Sequence, residues 1–134
     1  MTFSYFRDIH LCDTDAAGVI YFARGLSICH EAYEEWLQSL GLSIRQILQE
    51  KEIAIPIVRA EIDFLQPIIC GDAIEIKLKL QEVTESKFIV SYDIFKNTYS
   101  DKILAKALTI HVCINPQTRK KAALPQAITD YRST

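Results

Sequence analysis

Asp13 and Asp15, in the stretch DTDAAGVIYF (13–22), set two carboxylates directly before the longest apolar helical pattern of the chain. An α-helix leaves its first backbone N–H groups without internal partners, and its dipole puts partial positive charge there. A carbonyl oxygen resting on those groups is polarised, and an oxyanion developing from it is stabilised. Gly18 lets the backbone turn sharply and lets a ligand approach closely. With the helix beginning near Tyr21 or Phe22, the Asp15 carboxylate falls where it can face the carbon of that carbonyl. A helix end that polarises an electrophile, plus one carboxylate, is a minimal acyl-transfer site. The carboxylate can attack directly or act as general base on water. Carboxylates of ordinary acidity are ionised at neutral pH but are feeble bases, which favours direct attack. Asp before a helix is more commonly a cap or a solvated turn residue, and that reading stands beside the catalytic one.

Other constellations carry less. His10, Cys12, Asp13 and Asp15 are metal-ligating types, but on a strand they would point to both faces and fail to converge, so no metal is expected. No G-x-S-x-G nucleophile elbow is present. His10, His30 and His111 are far apart in the chain and read as structural, with His30, one turn from Tyr33, the one to watch. Cys12, Cys29, Cys70 and Cys113 form no CxxC pair and read as free buried thiols in a reducing, cytoplasmic setting. Pro56, Ile57 and Val58 could line an apolar pocket, with core packing as the alternative. Arg59, Lys87 and the run Arg119–Lys121 could meet phosphates, with a solvated surface as the alternative.

The elements that must hold these residues follow from periodicity. Residues 3–11 alternate with Phe3, Tyr5, Ile9 and Leu11 on one parity, predicting a first strand. From Phe22 to Leu40 the apolar positions step by threes and fours, predicting a helix that buries a wide stripe, and Gly41 is placed to end it. A short second helix starts after Ser43 as N-cap. Strand patterns follow at 56–65, 73–83, 87–95 and 103–114, separated by turn residues at Gly71-Asp72, Thr84–Ser86, Asn97–Asp101 and Asn115-Pro116. The short separators favour antiparallel hairpins. PQAITDYRS adds a last helical turn. One long buried helix and a run of antiparallel strands make an α+β design in which a curved sheet wraps the helix.

The chain of 134 residues is expected to be a single domain spanning 1–134, large enough to bury a core without disulfides. A net charge of -2 gives no case for nucleic acid, and no apolar run reaches the ~20 residues of a membrane span. The N-terminus lacks the basic-then-apolar order of a signal peptide.

DTDAAGVIYF, the long helix after it, and PIVRAEIDFLQPIICGD resemble the hotdog-fold acyl-CoA thioesterases of the 4-hydroxybenzoyl-CoA thioesterase class. That family's pattern is matched by Asp13, Asp15, Gly18, Val19 and Tyr21, with Gly71-Asp72 downstream. The resemblance implies that Asp15 is the catalytic carboxylate and that the backbone N–H near Phe22 polarises the thioester carbonyl. Gly18, Val19, Tyr21, Ile57 and Arg59 become substrate-binding candidates. Many relatives have His in place of Phe22, and many have Asn-Tyr in place of Arg24-Gly25; the Phe tilts the pocket towards an aromatic or apolar acyl group. Within the class, the motif, HEAYEEWLQSLG and IPIVRAEIDFLQPI are most similar to the cyanobacterial hydrolases of 1,4-dihydroxy-2-naphthoyl-CoA in phylloquinone synthesis. The alternatives are another aromatic or short-chain acyl-CoA as substrate, or a non-catalytic acyl-CoA binding module. No cofactor is implied, since coenzyme A arrives as part of the substrate. Relatives also imply a homodimer assembling to a homotetramer, with the sites at the seam between protomers.

Overall fold

Strict alternation makes the central strands. In the computed structural model, which describes residues 1–97 and 101–133, β3 (Ala73–Val83) buries Ile74, Ile76 and Leu78 while Glu75 and Lys77 face outward. β4 (Lys87–Lys96) does the same with Phe88, Val90, Tyr92 and Ile94. Together with β1 (Thr2–Asp8), β2 (Ile57–Phe64) and β5 (Ile103–Val112) they form one antiparallel sheet, in the order β1-β3-β4-β5-β2. Register shifts at Ile57/Arg59, Leu80/Glu82 and Ile94/Phe95 mark bulges, which add twist and curvature.

The concave face receives α1 (Phe22–Ser39), about 27 Å long at 1.5 Å per residue. Its buried stripe is Ile28, Cys29, Ala32, Tyr33, Trp36 and Leu37, and Trp36 and Tyr33 lie 6.2 and 6.4 Å from the Phe88 ring. Close approach at the other end needs Gly25, where a Cβ would come within 2.8 Å of Phe64 and 2.9 Å of Ile62. Gly41, at φ +81°, ends the helix in the left-handed conformation a glycine accepts most easily. α2 (Ile44–Glu50) opens with the Ser43 hydroxyl accepting the Gln46 N–H at 3.2 Å. The last segment forms two turns as α3 (Gln126–Ser133), not one.

Several expectations are corrected. The first strand stops at Asp8, and Leu11, expected inward, is 77 % exposed because Leu11–Asp13 is a 3-10 turn. Phe22, expected in the buried stripe, is 68 % exposed. Cys12 and Cys70 are exposed, so only Cys29 and Cys113 fit the buried-thiol reading. β2 and β3 are not a hairpin: Leu65–Asp72 carries the chain past the strand ends, leaving β2 on the sheet edge beside β5. The turn expected at Asn97–Asp101 lies partly outside the described residues.

One polar cluster is embedded in the core. The His111 Nε2 lies 2.7 Å from the Thr109 hydroxyl, which lies 2.8 Å from the Tyr92 hydroxyl, while the imidazole packs against both the Phe88 and Tyr33 rings. Burial, helped by repulsion from His30, pushes His111 down to about 3, so the ring stays neutral in the fold. The unfolded chain takes up a proton near pH 6.5 that the folded chain refuses. Stability from this group is therefore complete above about pH 6.5 and falls by about 1.4 kcal/mol per unit as the pH drops towards 3. Chemical denaturation between pH 7 and 4.5 should show this slope in the native chain and a slope smaller by one proton in His111→Phe.

Candidate active site

Asp13, not Asp15, organises the approach to α1. Its side chain is fully buried and accepts hydrogen bonds from Arg7 at 2.8 Å, from two Arg24 nitrogens at 2.7 and 3.2 Å, and from the His10 backbone N–H at 2.8 Å. Its own carbonyl accepts the Tyr21 N–H at 2.8 Å. Burial alone would raise the pKa, but the hydrogen bonds from Arg7, Arg24 and His10 outweigh it and hold this carboxyl well below the usual carboxylate range. Arg7 leaves β1, His10 flanks the 3-10 turn and Arg24 sits in the first turn of α1. One carboxylate thus clamps the helix mouth to the sheet. Arg24, a departure from the family pattern, is explained by this pairing, as Gly25 is by its contact with Phe64.

The loop between the clamp and the helix is a tight hairpin. Asp15 N–H donates to the Val19 carbonyl at 2.9 Å, Gly18 N–H donates to the Asp15 carbonyl at 3.0 Å, and Thr14 pairs with Ile20. Gly18 sits at φ +80°, with nothing within 4 Å of where a Cβ would stand. Asp15 is exposed, and its carboxylate accepts the Ala17 N–H at 2.8 Å, an Asx turn that leaves a second oxygen for a ligand. No side chain caps α1, because Tyr21 is its N-cap residue and has no oxygen near its own backbone. The helix end is therefore left for whatever binds there.

Beside it lies an apolar groove of about 370 Å³, between Val19 and Phe22 on one side and Phe64, Leu65 and Pro67 on the other. Tyr21 and Phe22 pack tilted at 4.9 Å on its lip. The chain thus brings Asp15, Gly18, Val19, Tyr21 and Phe22 together. It does not bring in Ile57 and Arg59, which stand at the opposite end of β2, exposed, with Arg59 paired to Glu61 at 3.4 Å. Phe64 and Leu65, missed from sequence, carried a signal: two large apolar residues side by side in DFLQP defeat alternation, and both are exposed.

His10, Cys12 and Asp13 do converge, with ligand atoms within 4.8 Å of one another, contrary to the strand argument. The 3-10 turn, not a strand, gathers them. Asp13 is nevertheless committed to two guanidiniums, a donor set that repels a cation.

A family profile described as "Thioesterase-like superfamily" matches residues 9–130. A 1,4-dihydroxy-2-naphthoyl-CoA hydrolase of Crocosphaera subtropica is 49 % identical over 96 % of this chain and 93 % of its own. One from Gloeothece citriformis is 46 % identical, covering 95 % and 89 %. The crystal structure of a 1,4-dihydroxy-2-naphthoyl-CoA thioesterase from Synechocystis superposes with a TM-score of 0.90 at 44 % identity, covering 96 % of this chain and 93 % of that one.

The division of labour between the two acids is measurable. Asp13→Asn takes the shared carboxylate from two guanidiniums, leaving Arg7 only its pair with Glu31, and should lower unfolding stability by about 2–3 kcal/mol. Asp15→Asn keeps an acceptor for the Ala17 N–H and should leave stability within about 0.5 kcal/mol. Urea denaturation of the two variants checks both values.

Proposed function

The chain belongs to the thioesterase-like superfamily, and from that premise we propose that it hydrolyses 1,4-dihydroxy-2-naphthoyl-CoA to 1,4-dihydroxy-2-naphthoate and free coenzyme A, the activity for which its relatives are named. Its fold is the hotdog arrangement, a curved antiparallel sheet around one helix. The single observation that carries the chemistry is an exposed carboxylate, Asp15, held by a tight hairpin beside an uncapped helix N-terminus.

The thioester carbonyl oxygen rests on the N–H groups of the first turn, that of Phe22 foremost, and becomes electrophilic. Asp15 attacks the carbonyl carbon, and the tetrahedral oxyanion is held by the same N–H groups. Collapse breaks the C–S bond and expels the coenzyme A thiolate, a good leaving group that needs no strong general acid. Water then opens the mixed anhydride at the aspartyl carbon, freeing the aromatic acid and restoring Asp15. No resident metal or cofactor takes part.

The site wants a second protomer. β2 is an edge strand with an unpaired hydrogen-bonding side, and Ile57, Val58, Phe64 and Leu65 along and just beyond it are exposed. Two copies pairing these edges antiparallel about a two-fold axis bury that surface and continue the sheet. Such pairing points the start of one β2, with Ile57 and Arg59, towards the end of the other, with Phe64, so the two substrate-binding candidates missing from the helix mouth are on the partner strand's near end in trans. A homodimer, assembling further to a homotetramer, is the expected species.

Asp15→Asn should lower thiol release from the naphthoyl thioester by about a hundredfold or more without loss of fold. Release unaffected by the substitution ends the proposal, and tight binding with no release by the native chain makes it a binding module. Single turnover in heavy-oxygen water should leave label in Asp15; label confined to the product overturns opening of the anhydride at the aspartyl carbon. Sedimentation equilibrium should find no monomer at micromolar concentration.

A further inference from the structure

One polar side chain stands in the apolar groove beside the helix mouth. Val19, Phe22, Phe64, Leu65 and Pro67 give that groove carbon surface, and Gln66 is the one polar residue among its described lining. Gln66 is half-buried, and among the described residues its carboxamide makes no hydrogen bond. The backbone that carries it is fixed on both sides. The Leu65 and Gln66 N–H groups both donate to the Leu104 carbonyl, at 2.9 and 3.1 Å, and the Ile68 carbonyl accepts the Ile20 N–H at 2.7 Å. Val19 bridges to Ile69, whose N–H donates to the Asp72 carboxylate at 3.0 Å. The wall holding Gln66 is thereby tied to the hairpin that holds Asp15 and leads into Phe22.

In a 1-hydroxy-2-naphthoyl thioester the hydroxyl sits on the carbon next to the one bearing the acyl group. It shares an edge with the carbonyl oxygen, about 2.5–3.0 Å away across an internal O–H···O hydrogen bond. Seating the carbonyl on the Phe22 N–H therefore keeps this hydroxyl beside the helix mouth, where the groove begins. We infer that Gln66 determines specificity for that hydroxyl, its carboxamide donating a hydrogen bond to the ring oxygen adjacent to the thioester. The inference rests on the thioesterase reading for the identity of the ligand, and it adds a residue that reading does not use. An amide can donate to the hydroxyl oxygen while the hydroxyl keeps its own proton on the carbonyl oxygen. Hydrogen bonds in series polarise one another, so the amide strengthens the hydroxyl as a donor. The carbonyl oxygen takes on charge as Asp15 attacks, and the gain is larger in the transition state than in the bound substrate. A ring without that hydroxyl leaves the Gln66 amide unmatched once water is expelled from the groove.

Thioesters that differ only in their hydroxyls test the assignment. Gln66→Leu should lower kcat/KM for 1,4-dihydroxy-2-naphthoyl-CoA by about tenfold relative to 2-naphthoyl-CoA, with most of the loss in kcat. Single rings locate the contact: 2-hydroxybenzoyl-CoA should lose about tenfold and 4-hydroxybenzoyl-CoA less than about twofold. Equal losses on all of these thioesters overturn the inference, because they assign the amide to the coenzyme A arm or to packing. A loss confined to 4-hydroxybenzoyl-CoA overturns it as well. Gln66→Met replaces Gln66→Leu should the latter fail to fold. Gln66→Glu, which at neutral pH accepts but does not donate, should lose at least as much as Gln66→Leu on the rings with the adjacent hydroxyl. Native activity of Gln66→Glu on those rings overturns the donor role. Failure of the thioesterase reading is distinguishable: the native chain then releases thiol from none of these substrates, or Asp15→Asn releases it unimpaired with Gln66 intact.

Discussion

A fully buried carboxylate held between two guanidiniums sets the geometry on which the rest depends. Asp13 costs its desolvation, and Arg7, Arg24 and a backbone N–H offset that cost, so no one member can be removed cheaply. Because the three donors come from β1, the 3-10 turn and α1, the cluster fixes where the helix begins and how it meets the sheet. An Asx turn at Asp15 and a left-handed Gly18 then bring the chain from the clamp to the first turn. The two acids of DTDAAGVIYF differ in setting: one is buried in the clamp, and the other stays exposed beside the helix mouth.

The apolar surface is divided in a related way. The concave sheet face and one stripe of α1 close on each other, with Trp36, Phe88 and Tyr92 filling the middle. Phe22, Tyr21, Phe64 and Leu65 stay in water in the single chain, beside the least protected strand of the sheet. Exposed large apolar groups grouped along an edge strand mark an interaction surface more than a defect of packing. In the proposed dimer the same surface closes the sheet edge and supplies the far wall of the substrate site, so assembly and specificity share one set of residues.

Much of this was legible in the residues. The strand alternation of β3, the 3.6-residue stripe of α1, the Ser43 cap and the Gly41 stop are local signals, and each was met. So was the position of the helix mouth after Gly18. The failures were of another kind. Alternation ran Leu11 into the first strand, because nothing local announces that a buried Asp13 will draw the chain into a 3-10 turn. Phe22 read as core because periodicity reports a face and not what covers it. The same strand assumption separated His10, Cys12 and Asp13, which the turn brings together.

What the sequence determined by itself is the set of elements and the place where the long helix begins, because capping, propensity and periodicity act over a few residues. Tertiary structure alone decided which acid is buried, since Arg7 and Arg24 must both be folded against Asp13 before it becomes a clamp. It alone put β2 on the edge beside β5, because strand order is set by pairing between segments far apart in the chain.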